Sequence, residues 1–355
     1  MKNNDARGVG MNAFNTSFSQ WLAIKSLKPK ANVLSLFDGI SAGRLALERA
    51  GIKVGTYYRS EIDKFSNKVA MHHYPDDVQL GDVTKWREWN IDWSSIDMLI
   101  GGSPCQGFSF AGKQLAFDDP RSALFFVYVD ILNHIKSFNP NVKFMLENVK
   151  MRKEFVEVIN DHLGVEPVVI NSALMSAQNR VRLYWCNWDL KQPKDKGIML
   201  RDVIQGGEVD RDKSYCLDAS YAKGGNLEQY QNKCRRQIVF TGDLRPCERI
   251  KEGNEGHIAN AIDFKAMEST KRIYGADGKS PTLTTMSGGH REPKVLINDV
   301  QYRKLTPTEC ARLQTFPDGW AESIVSNSQA YKAYGNSWTV DVVGHIFKSL
   351  VEVAV

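Results

Sequence analysis

Long apolar runs are missing from this sequence. The longest candidate, residues 123–132, carries Asp130 and falls well short of the roughly 20 residues that a membrane-spanning helix needs. No N-terminal segment combines a basic patch, an apolar core and a small-residue cleavage site, so we expect no signal peptide. We therefore expect an intracellular protein without a membrane partner.

Closely spaced cysteines are missing too. The six cysteines stand at positions 105, 186, 216, 234, 247 and 310, so none forms the C-x-x-C pair of a zinc or redox site. Without a sign of secretion, disulfides are not expected in a chain this long. Most of the cysteines should be reduced, buried and apolar in behaviour, with the exception of Cys105.

A strong charge of either sign is also lacking. The net charge is +5 and the pI is about 8.7, which is compatible with a polyanionic partner but equally common among enzymes without one. Hydrophobic residues make up 42% and charged residues 25% of the 355 positions, as in ordinary globular chains. That length accommodates one large domain and a smaller one.

Apolar runs alternate with amphipathic segments over the first half of the chain. This alternation predicts a mostly parallel α/β sheet with helices on both faces, in which ligands bind at the carboxyl ends of the strands. The predicted strands are 32–37, 54–61, 98–102 and 141–149, with two more within 166–176 and 179–188, and the predicted helices are 45–51, one ending near 73, and 122–136.

The sequence changes in character near residue 191. Glycine pairs, scattered charges and only short strand-like runs follow, and they indicate a smaller, irregular domain. Helices are predicted again at 306–316 and from 339 to about 351. The resulting division is a polar extension (1–30), a main domain (31–190), an irregular domain (191–302) and a returning helical segment (303–355).

One strand, turn and helix at residues 34–43, LSLFDGISAG, suggests a cofactor site. A glycine turn lets a ligand approach the backbone and the helix N-terminus. Glu61 follows Gly39 by 22 residues, at the end of the next strand, where nucleoside-binding α/β folds place a carboxylate for the ribose. NAD and S-adenosylmethionine both remain open at this point. Asp82, at a further turn, could accept a hydrogen bond from an adenine amino group.

The sequence GGSPCQGFSF places a thiol, Cys105, in a loop directly after a predicted strand. A structural cysteine more usually lies inside an apolar run, whereas this one is surrounded by serine, proline and glutamine. We expect a reactive thiol whose pKa is lowered by a positive neighbour, with Arg180 and Arg182 as candidates. The loop continues to about residue 121 and could close over a ligand.

Polar residues also end the predicted strand 141–149. Glu147 and Asn148 should project into the ligand crevice, where a carboxyl group could donate or share a proton. In QNRVR, the residues Gln178, Arg180 and Arg182 are spaced by two, so a strand would present all three on one face. Such a face could recognise an anion or a base, or belong to an exposed edge strand.

Together these motifs resemble the C5-cytosine DNA methyltransferases, of the prokaryotic or phage type, with similarity to the animal de novo branch. Each motif alone is weak, but their order is specific, and the resemblance spans residues 32–350. The motifs are, in order, FDGISAG, SEIDKF, GDV, GGSPCQGFS, LENV, QNRVR, RKLTPTECARLQTFP and YGNSW.

The resemblance implies a Rossmann-like methyltransferase fold, with residues 191–302 as the target-recognition domain. It implies that the Cys105 thiolate adds to C6 of a flipped-out cytosine and that C5 then takes the methyl group of S-adenosyl-L-methionine. Glu147 would hold N3 and the amino group, Asn148 and Arg182 would orient the pocket, and Arg180 would contact the target nucleotide or its phosphate.

Further site residues are implied by position in the motifs. The cofactor would be held by Phe37, Asp38, Gly39, Ile40, Glu61, Ile62, Asp82, Val83, Leu124, Asn336 and Trp338. DNA would be contacted by Gln106, Ser109, Thr282 and Leu283.

Two positions depart from the usual family pattern. Ser41 replaces the second glycine of the cofactor turn, and Trp338 replaces a small aliphatic residue of many bacterial members. The animal de novo branch shares both features, so neither departure argues against cofactor binding.

Three other interpretations explain parts of the sequence. An RNA methyltransferase of the same fold would carry a Cys-Phe-Thr tripeptide, which is absent, and the long 191–300 region favours DNA. A non-catalytic DNA-binding partner would have lost Pro-Cys or Glu-Asn-Val, and both are present. A nicotinamide-dependent dehydrogenase accounts for the glycine turn and Glu61, but not for Cys105, Glu147 and the arginine pair together.

The resemblance also implies a setting. We expect double-stranded DNA as the partner, a monomeric enzyme, and a DNA-associated, cytoplasmic location in a bacterial or phage-infected host. A cognate restriction endonuclease is a candidate partner. The recognition sequence, CpG or longer, stays open because the irregular domain determines it.

Overall fold

The computed structural model describes residues 30–104, 123–206, 209–221, 230, 236–239 and 305–351. Of residues 240–304 it describes only the backbone of the strands.

A seven-stranded sheet forms the centre of the main domain. Its order is β3-β2-β1-β4-β5-β7-β6, and β7 runs antiparallel to both neighbours whereas the other adjacent pairs are parallel. The predicted mostly parallel sheet is thus confirmed. The strands are β1 (Ala31–Leu36), β2 (Val54–Ser60), β3 (Val78–Gln79), β4 (Met98–Gly101), β5 (Lys143–Val149), β6 (Pro167–Asn171) and β7 (Val181–Cys186).

Helices cover both faces of this sheet. Alternation along β1 shows why: Val33 packs into one core cluster and Leu34 into the other, and neither is exposed to solvent. The helices are α1 (Ala42–Arg49), α2 (Lys64–His73), α3 (Ala123–Phe138), α4 (Lys153–Leu163), α5 (Pro307–Leu313), α6 (Asn327–Asn336) and α7 (Val340–Val351). None of the described helices is long and apolar enough to cross a membrane.

Sequence patterns did not predict α4 and α6. Helix α4 is clearly amphipathic: Ile159 and Leu163 are buried, and Phe155 and Val156 pack partly buried against the same core cluster, so a local signal was present and was missed. Helix α6 buries alanine, tyrosine and glycine, a composition with little hydrophobic periodicity. Helix α6 therefore depends on tertiary packing more than on a strong local pattern.

The end of the chain returns to its first helix. Helix α7 packs on α1, and Arg49 bridges the two, with its Nη1 2.6 Å from Asp341 Oδ1. Helix α5 begins with a capping box in which the Thr306 hydroxyl accepts from the Glu309 N–H and the Glu309 carboxylate accepts from the Thr306 N–H. The Arg49 contact and the packing of α7 thus bring the described end of the chain against α1.

Residues 238–304 contribute two smaller sheets. One has the order β12-β11-β10-β9 and the other pairs β13 with β8. The strands are β8 (Ile238–Thr241), β9 (Cys247–Arg249), β10 (His257–Ala261), β11 (Arg272–Gly275), β12 (Lys294–Leu296) and β13 (Gln301–Lys304). The division of the chain into domains stays a prediction.

Close backbone contact at Gly335 leads to a stability prediction. A Cβ atom there would lie 2.4 Å from the Asp218 carbonyl carbon and 2.5 Å from the Ala219 nitrogen. We expect Gly335→Ala to lower the free energy of unfolding by about 1–3 kcal/mol, measured by urea denaturation, because backbone must move. In Gly344→Ala the nearest backbone atom, Ala46 O, is 3.5 Å away, so this control should not be destabilised. Equal losses in both variants would contradict the prediction.

Candidate active site

The turn after β1 has an unusual backbone. Phe37, Gly39 and Ser41 have φ angles of 58°, 62° and 62°, in the left-handed region. Glycine adopts this conformation freely, but a phenylalanine and a serine there each cost roughly 1 kcal/mol or more. Other contacts must therefore hold the turn in place.

A buried carboxylate beneath the turn supplies these contacts. Asp38 accepts hydrogen bonds from the hydroxyls of Ser35 at 2.6 Å, Tyr57 at 2.8 Å and Ser41 at 2.8 Å. Burial raises the pKa of Asp38, and the three hydroxyl donors oppose that change. Since both oxygens are engaged by hydroxyl groups beneath the turn, the direct cofactor contact expected of Asp38 stays a prediction.

Glu61 joins the ends of β1 and β2. Its Oε2 accepts from the Gly39 N–H at 2.9 Å, and its Oε1 accepts from the N–H groups of Ile62 at 2.8 Å and Asp63 at 2.7 Å. Burial raises the pKa of Glu61, and these backbone donors oppose the shift. The sequence predicted a carboxylate at this edge, and the structure places it beside the glycine turn.

Neighbouring residues make this edge suitable for a nucleoside. Ile62 is 76% exposed, so a large apolar side chain lies uncovered next to Glu61. Ser60 Oγ donates to Gly81 O at 2.7 Å, which holds the turn of Asp82 near the end of β2. The Asp82 carboxylate accepts from the N–H and hydroxyl of Thr84, and both lower its pKa. An exposed apolar side chain next to a carboxylate has the chemistry to contact a purine ring and ribose hydroxyls.

Four other predicted cofactor residues differ in accessibility. The side chains of Ile40 and Val83 are 1% and 6% exposed and belong to the two core clusters. Leu124 is half-buried near the start of α3, and Asn336 is exposed at the end of α6. Their contacts with a cofactor stay predictions.

Glu147 lies at the carboxyl half of β5 and is 9% exposed. Its Oε1 is 3.0 Å from Arg182 Nε, and its Oε2 accepts from Trp338 Nε1 at 3.1 Å. A Cβ atom on Gly102 would lie 2.9 Å from this same Oε2. Only glycine therefore allows the end of β4 to approach the carboxylate so closely.

Asn148 connects β5 to the segment that leads into the thiol loop. Its side-chain Nδ2 donates to Ser103 Oγ at 3.2 Å, and its side-chain Oδ1 accepts from the Val149 N–H at 2.8 Å. Cys105 follows Ser103 by two positions but lies outside the described residues, as do Gln106, Ser109, Thr282 and Leu283. The described residues thus bring Glu147 and Asn148 against the beginning of the Pro-Cys motif.

Arg180 has a different environment from Arg182. It is 5% exposed, and its guanidinium donates to the carbonyls of Leu217 at 3.2 Å, Gly335 at 3.3 Å and Ser337 at 2.9 Å. Burial lowers its pKa, and the nearby charge of Arg182 lowers it further. In this arrangement Arg180 joins chain segments, and its expected contact with the target nucleotide stays a prediction.

The expectation that one strand presents all three residues of QNRVR was wrong. Strand β7 begins only at Val181, so Gln178 and Arg180 precede it. Gln178 is fully buried, where its side chain accepts from the Leu217 N–H at 2.9 Å and donates to Leu313 O at 3.3 Å. Side-chain bonds to distant backbone, rather than strand alternation, determine the positions of these residues.

Sequence analysis missed Cys216 as part of the site. Its Sγ lies 3.4 Å from Arg180 Nη1 and 3.8 Å from Arg182 Nη2. Burial opposes the change, but the two arginines lower the pKa of Cys216. The arginines proposed to activate Cys105 thus contact a second thiol, one that no motif in the sequence indicates. Among the described residues no group of three or more metal-binding side chains occurs.

Comparison with known proteins now identifies the family. The model of C-5 cytosine-specific DNA methylases matches residues 31–352. The chain belongs to the C-5 cytosine-specific DNA methylase family. This membership confirms the predicted recognition and enzyme class, a DNA (cytosine-5-)-methyltransferase, and rules out the dehydrogenase alternative.

Individual relatives agree with this assignment. The chain is 31% identical to the type II methyltransferase M1.ScrFI of Lactococcus lactis subsp. cremoris, covering 91% of this chain and 79% of the relative. It is 27% identical to the orphan methyltransferase M.Rho11sI of Bacillus phage rho11s, covering 91% and 98%. The solved structure of the Entamoeba histolytica methyltransferase EhMeth has a TM-score of 0.61 at 16% identity, covering 92% and 99%. This last similarity shows the shared Rossmann-like methyltransferase fold.

A further carboxylate lies near the cofactor turn. The Asp77 side chain is 8% exposed, its Oδ1 is 3.6 Å from Arg44 Nε, and its Oδ2 accepts no hydrogen bond from the described residues. Burial raises the pKa of Asp77 to about 6, against the opposing charges of Arg44 and Arg59.

This shift predicts a pH dependence of stability. Since the folded pKa of Asp77 lies above its ordinary value of 3.8, the folded state binds the proton more tightly, and stability falls as pH rises from about 4 to 6. We expect Asp77→Asn to remove that component. Its free energy of unfolding should rise relative to wild type between pH 4.5 and pH 7, as measured by urea denaturation. The exposed neighbour provides a control, Asp76→Asn, and identical pH curves for wild type and Asp77→Asn would refute the assignment.

Proposed function

We propose that this methyltransferase uses Cys105 and Glu147 to methylate C5 of a flipped-out cytosine in double-stranded DNA. The observation that carries the proposal is the position of Glu147. Its carboxylate is held by Arg182 and Trp338, against the Gly102–Ser103 segment that leads into Cys105. A thiol and an oriented carboxyl group at one edge suit nucleophilic addition to a pyrimidine ring.

The proposed reaction begins with the Cys105 thiolate forming a bond to C6. The displaced ring electrons make C5 nucleophilic, and a proton on the Glu147 carboxyl group forms a hydrogen bond to N3, where negative charge develops. Arg182 keeps the Glu147 carboxyl group oriented, and Asn148 supports the Ser103 side of the pocket. C5 then gains a methyl group, a base removes the C5 proton, and elimination of the thiolate restores the aromatic ring and the enzyme.

Bound S-adenosyl-L-methionine supplies an electrophilic methyl group on a sulfonium centre, and methyl loss gives S-adenosylhomocysteine. Glu61 would accept hydrogen bonds from the ribose hydroxyls, and Ile62 and Asp82 would contact the adenine. Phe37, Gly39 and Trp338 would line the remainder of the pocket. The exposed Ile62 next to the Glu61 carboxylate supports this assignment.

The proposed reaction requires that the target cytosine be flipped out of the DNA helix. A paired cytosine stacks inside the duplex, so C6 is accessible to a thiol only after the base leaves the helix. We propose that the loop after Cys105, with Gln106 and Ser109, and the recognition residues Thr282 and Leu283 contact the DNA around that base.

We further propose that the enzyme acts as a monomer in the cytoplasm of a bacterial or phage-infected host. A restriction endonuclease is a candidate partner.

Cys105→Ala tests the reaction. We expect wild type to transfer labelled methyl groups from S-adenosylmethionine to unmethylated duplex DNA, and Cys105→Ala to lose at least about a thousandfold in rate because the covalent step is gone. Base-resolution detection of 5-methylcytosine gives the recognition sequence. The control is Cys186→Ala, and a transfer RNA substrate distinguishes DNA from RNA specificity. Methylation that survives in Cys105→Ala would exclude this mechanism.

Glu61→Ala tests the cofactor site. Loss of the carboxylate should weaken binding of S-adenosylmethionine about tenfold or more, measured by calorimetry without DNA, because a charged hydrogen-bond acceptor is lost. Glu157→Ala is the matched control, since Glu157 is an exposed residue of α4 paired with Lys153. Unchanged affinity in Glu61→Ala would move the cofactor away from this edge.

A further inference from the structure

The indole of Trp338 connects two parts of the active site. Its Nε1 is 3.1 Å from Glu147 Oε2 and would lie 2.8 Å from a Cβ atom on Gly102. At the other end of the ring, Cζ3 would lie 3.2 Å from a Cβ atom on Gly43, in the helix that follows the cofactor turn. One side chain therefore reaches from the first turn of α1 to the carboxylate of Glu147.

The two hydrogen-bond donors Arg182 and Trp338 restrict the rotation of the Glu147 carboxyl group. An indole N–H and a guanidinium can only donate, so Trp338 and Arg182 each require a lone pair of the carboxylate. Arg182 takes Oε1 and Trp338 takes Oε2. With one donor on each oxygen, rotation of the carboxyl group is restricted before any substrate arrives.

Buried polar contacts fix the backbone on both sides of Trp338. Ser337 O accepts from Arg180 Nη2 at 2.9 Å. Thr339 Oγ1 donates to Gln314 Oε1 at 2.8 Å and lies 2.9 Å from Ser172 Oγ. The ring thus has a defined position, which a residue that merely filled space would not need.

We propose that Trp338 is a positioning residue for Glu147, and that its indole couples occupancy of the cofactor pocket to the orientation of the carboxyl group. This inference rests on the proposed role of Glu147 in the reaction. The N–H orients Oε2, while the ring transmits contact from the helix of Gly43. A phenylalanine would preserve the packing and lose the orientation.

Kinetics of Trp338→Phe test this role. We expect kcat for methyl transfer to fall about tenfold, because a hydrogen bond to a charged group is lost. The Kd of S-adenosylhomocysteine should stay within about threefold of wild type, because the ring packing is kept. Trp338→Ala should impair both kcat and cofactor binding. Trp188→Phe is the matched control, since it removes an indole N–H bonded to Ser349 Oγ at 3.0 Å. A Trp338→Phe variant with full kcat, or one whose whole loss lies in cofactor binding, would overturn the proposal.

A second measurement does not depend on turnover. In ¹⁵N-tryptophan-labelled protein, the Trp338 indole resonance is identified by its loss in Trp338→Phe. It should shift in Glu147→Ala and again when S-adenosylhomocysteine binds. An unmoved resonance in Glu147→Ala would refute the contact. Failure of the proposed function would appear separately, as missing wild-type methyl transfer or as activity that survives in Cys105→Ala.

Discussion

The buried guanidinium of Arg180 is the interaction on which the arrangement of this site depends. A charge inside a protein is costly unless its donors are satisfied, and three backbone carbonyls satisfy this one. Those carbonyls belong to Leu217 and to the neighbouring residues Gly335 and Ser337, two segments that lie far from Arg180 and from each other in sequence. Because each is needed by the same cation, the segments that carry them converge at the amino end of β7.

Convergence at this point determines the environment of Glu147. Ser337 directly precedes Trp338. Because Arg180 binds the Ser337 carbonyl, the indole of Trp338 lies next to the Glu147 carboxylate. Leu217 directly follows Cys216. Because Arg180 binds the Leu217 carbonyl, the Cys216 thiol lies next to the pair Arg180 and Arg182. The edge of the sheet around Glu147 is thus assembled from β5, β7 and the returning C-terminal segment. At the turn after β1, the buried carboxylate of Asp38 has the corresponding role, because its three hydroxyl donors hold a backbone conformation that two non-glycine residues would otherwise avoid.

Much of this architecture was predictable because it depends on local patterns. Apolar runs predicted six of the seven strands of the central sheet, since central parallel strands are buried on both faces. The edge strand β3 was missed because it has only two residues and both are exposed. The positions of Glu147 and Glu61 near the carboxyl ends of their strands were predictable because parallel strands end at a shared edge. Helix α6 was missed because tyrosine, alanine and glycine give little hydrophobic periodicity. The motif QNRVR was misassigned because its alternating polar residues are typical of a strand, whereas strand β7 begins only at Val181.

The sequence by itself determined the family, the sheet and the residue types of the reaction, because these depend on ordered motifs and on burial patterns within short segments. Only the tertiary structure decided which donors face each carboxylate. Trp338 and Glu147 are 191 positions apart, and Cys216 and Arg180 are 36 apart, so no local pattern relates them. Their contacts follow from the need to pair buried charges and polar groups, a requirement that acts through space.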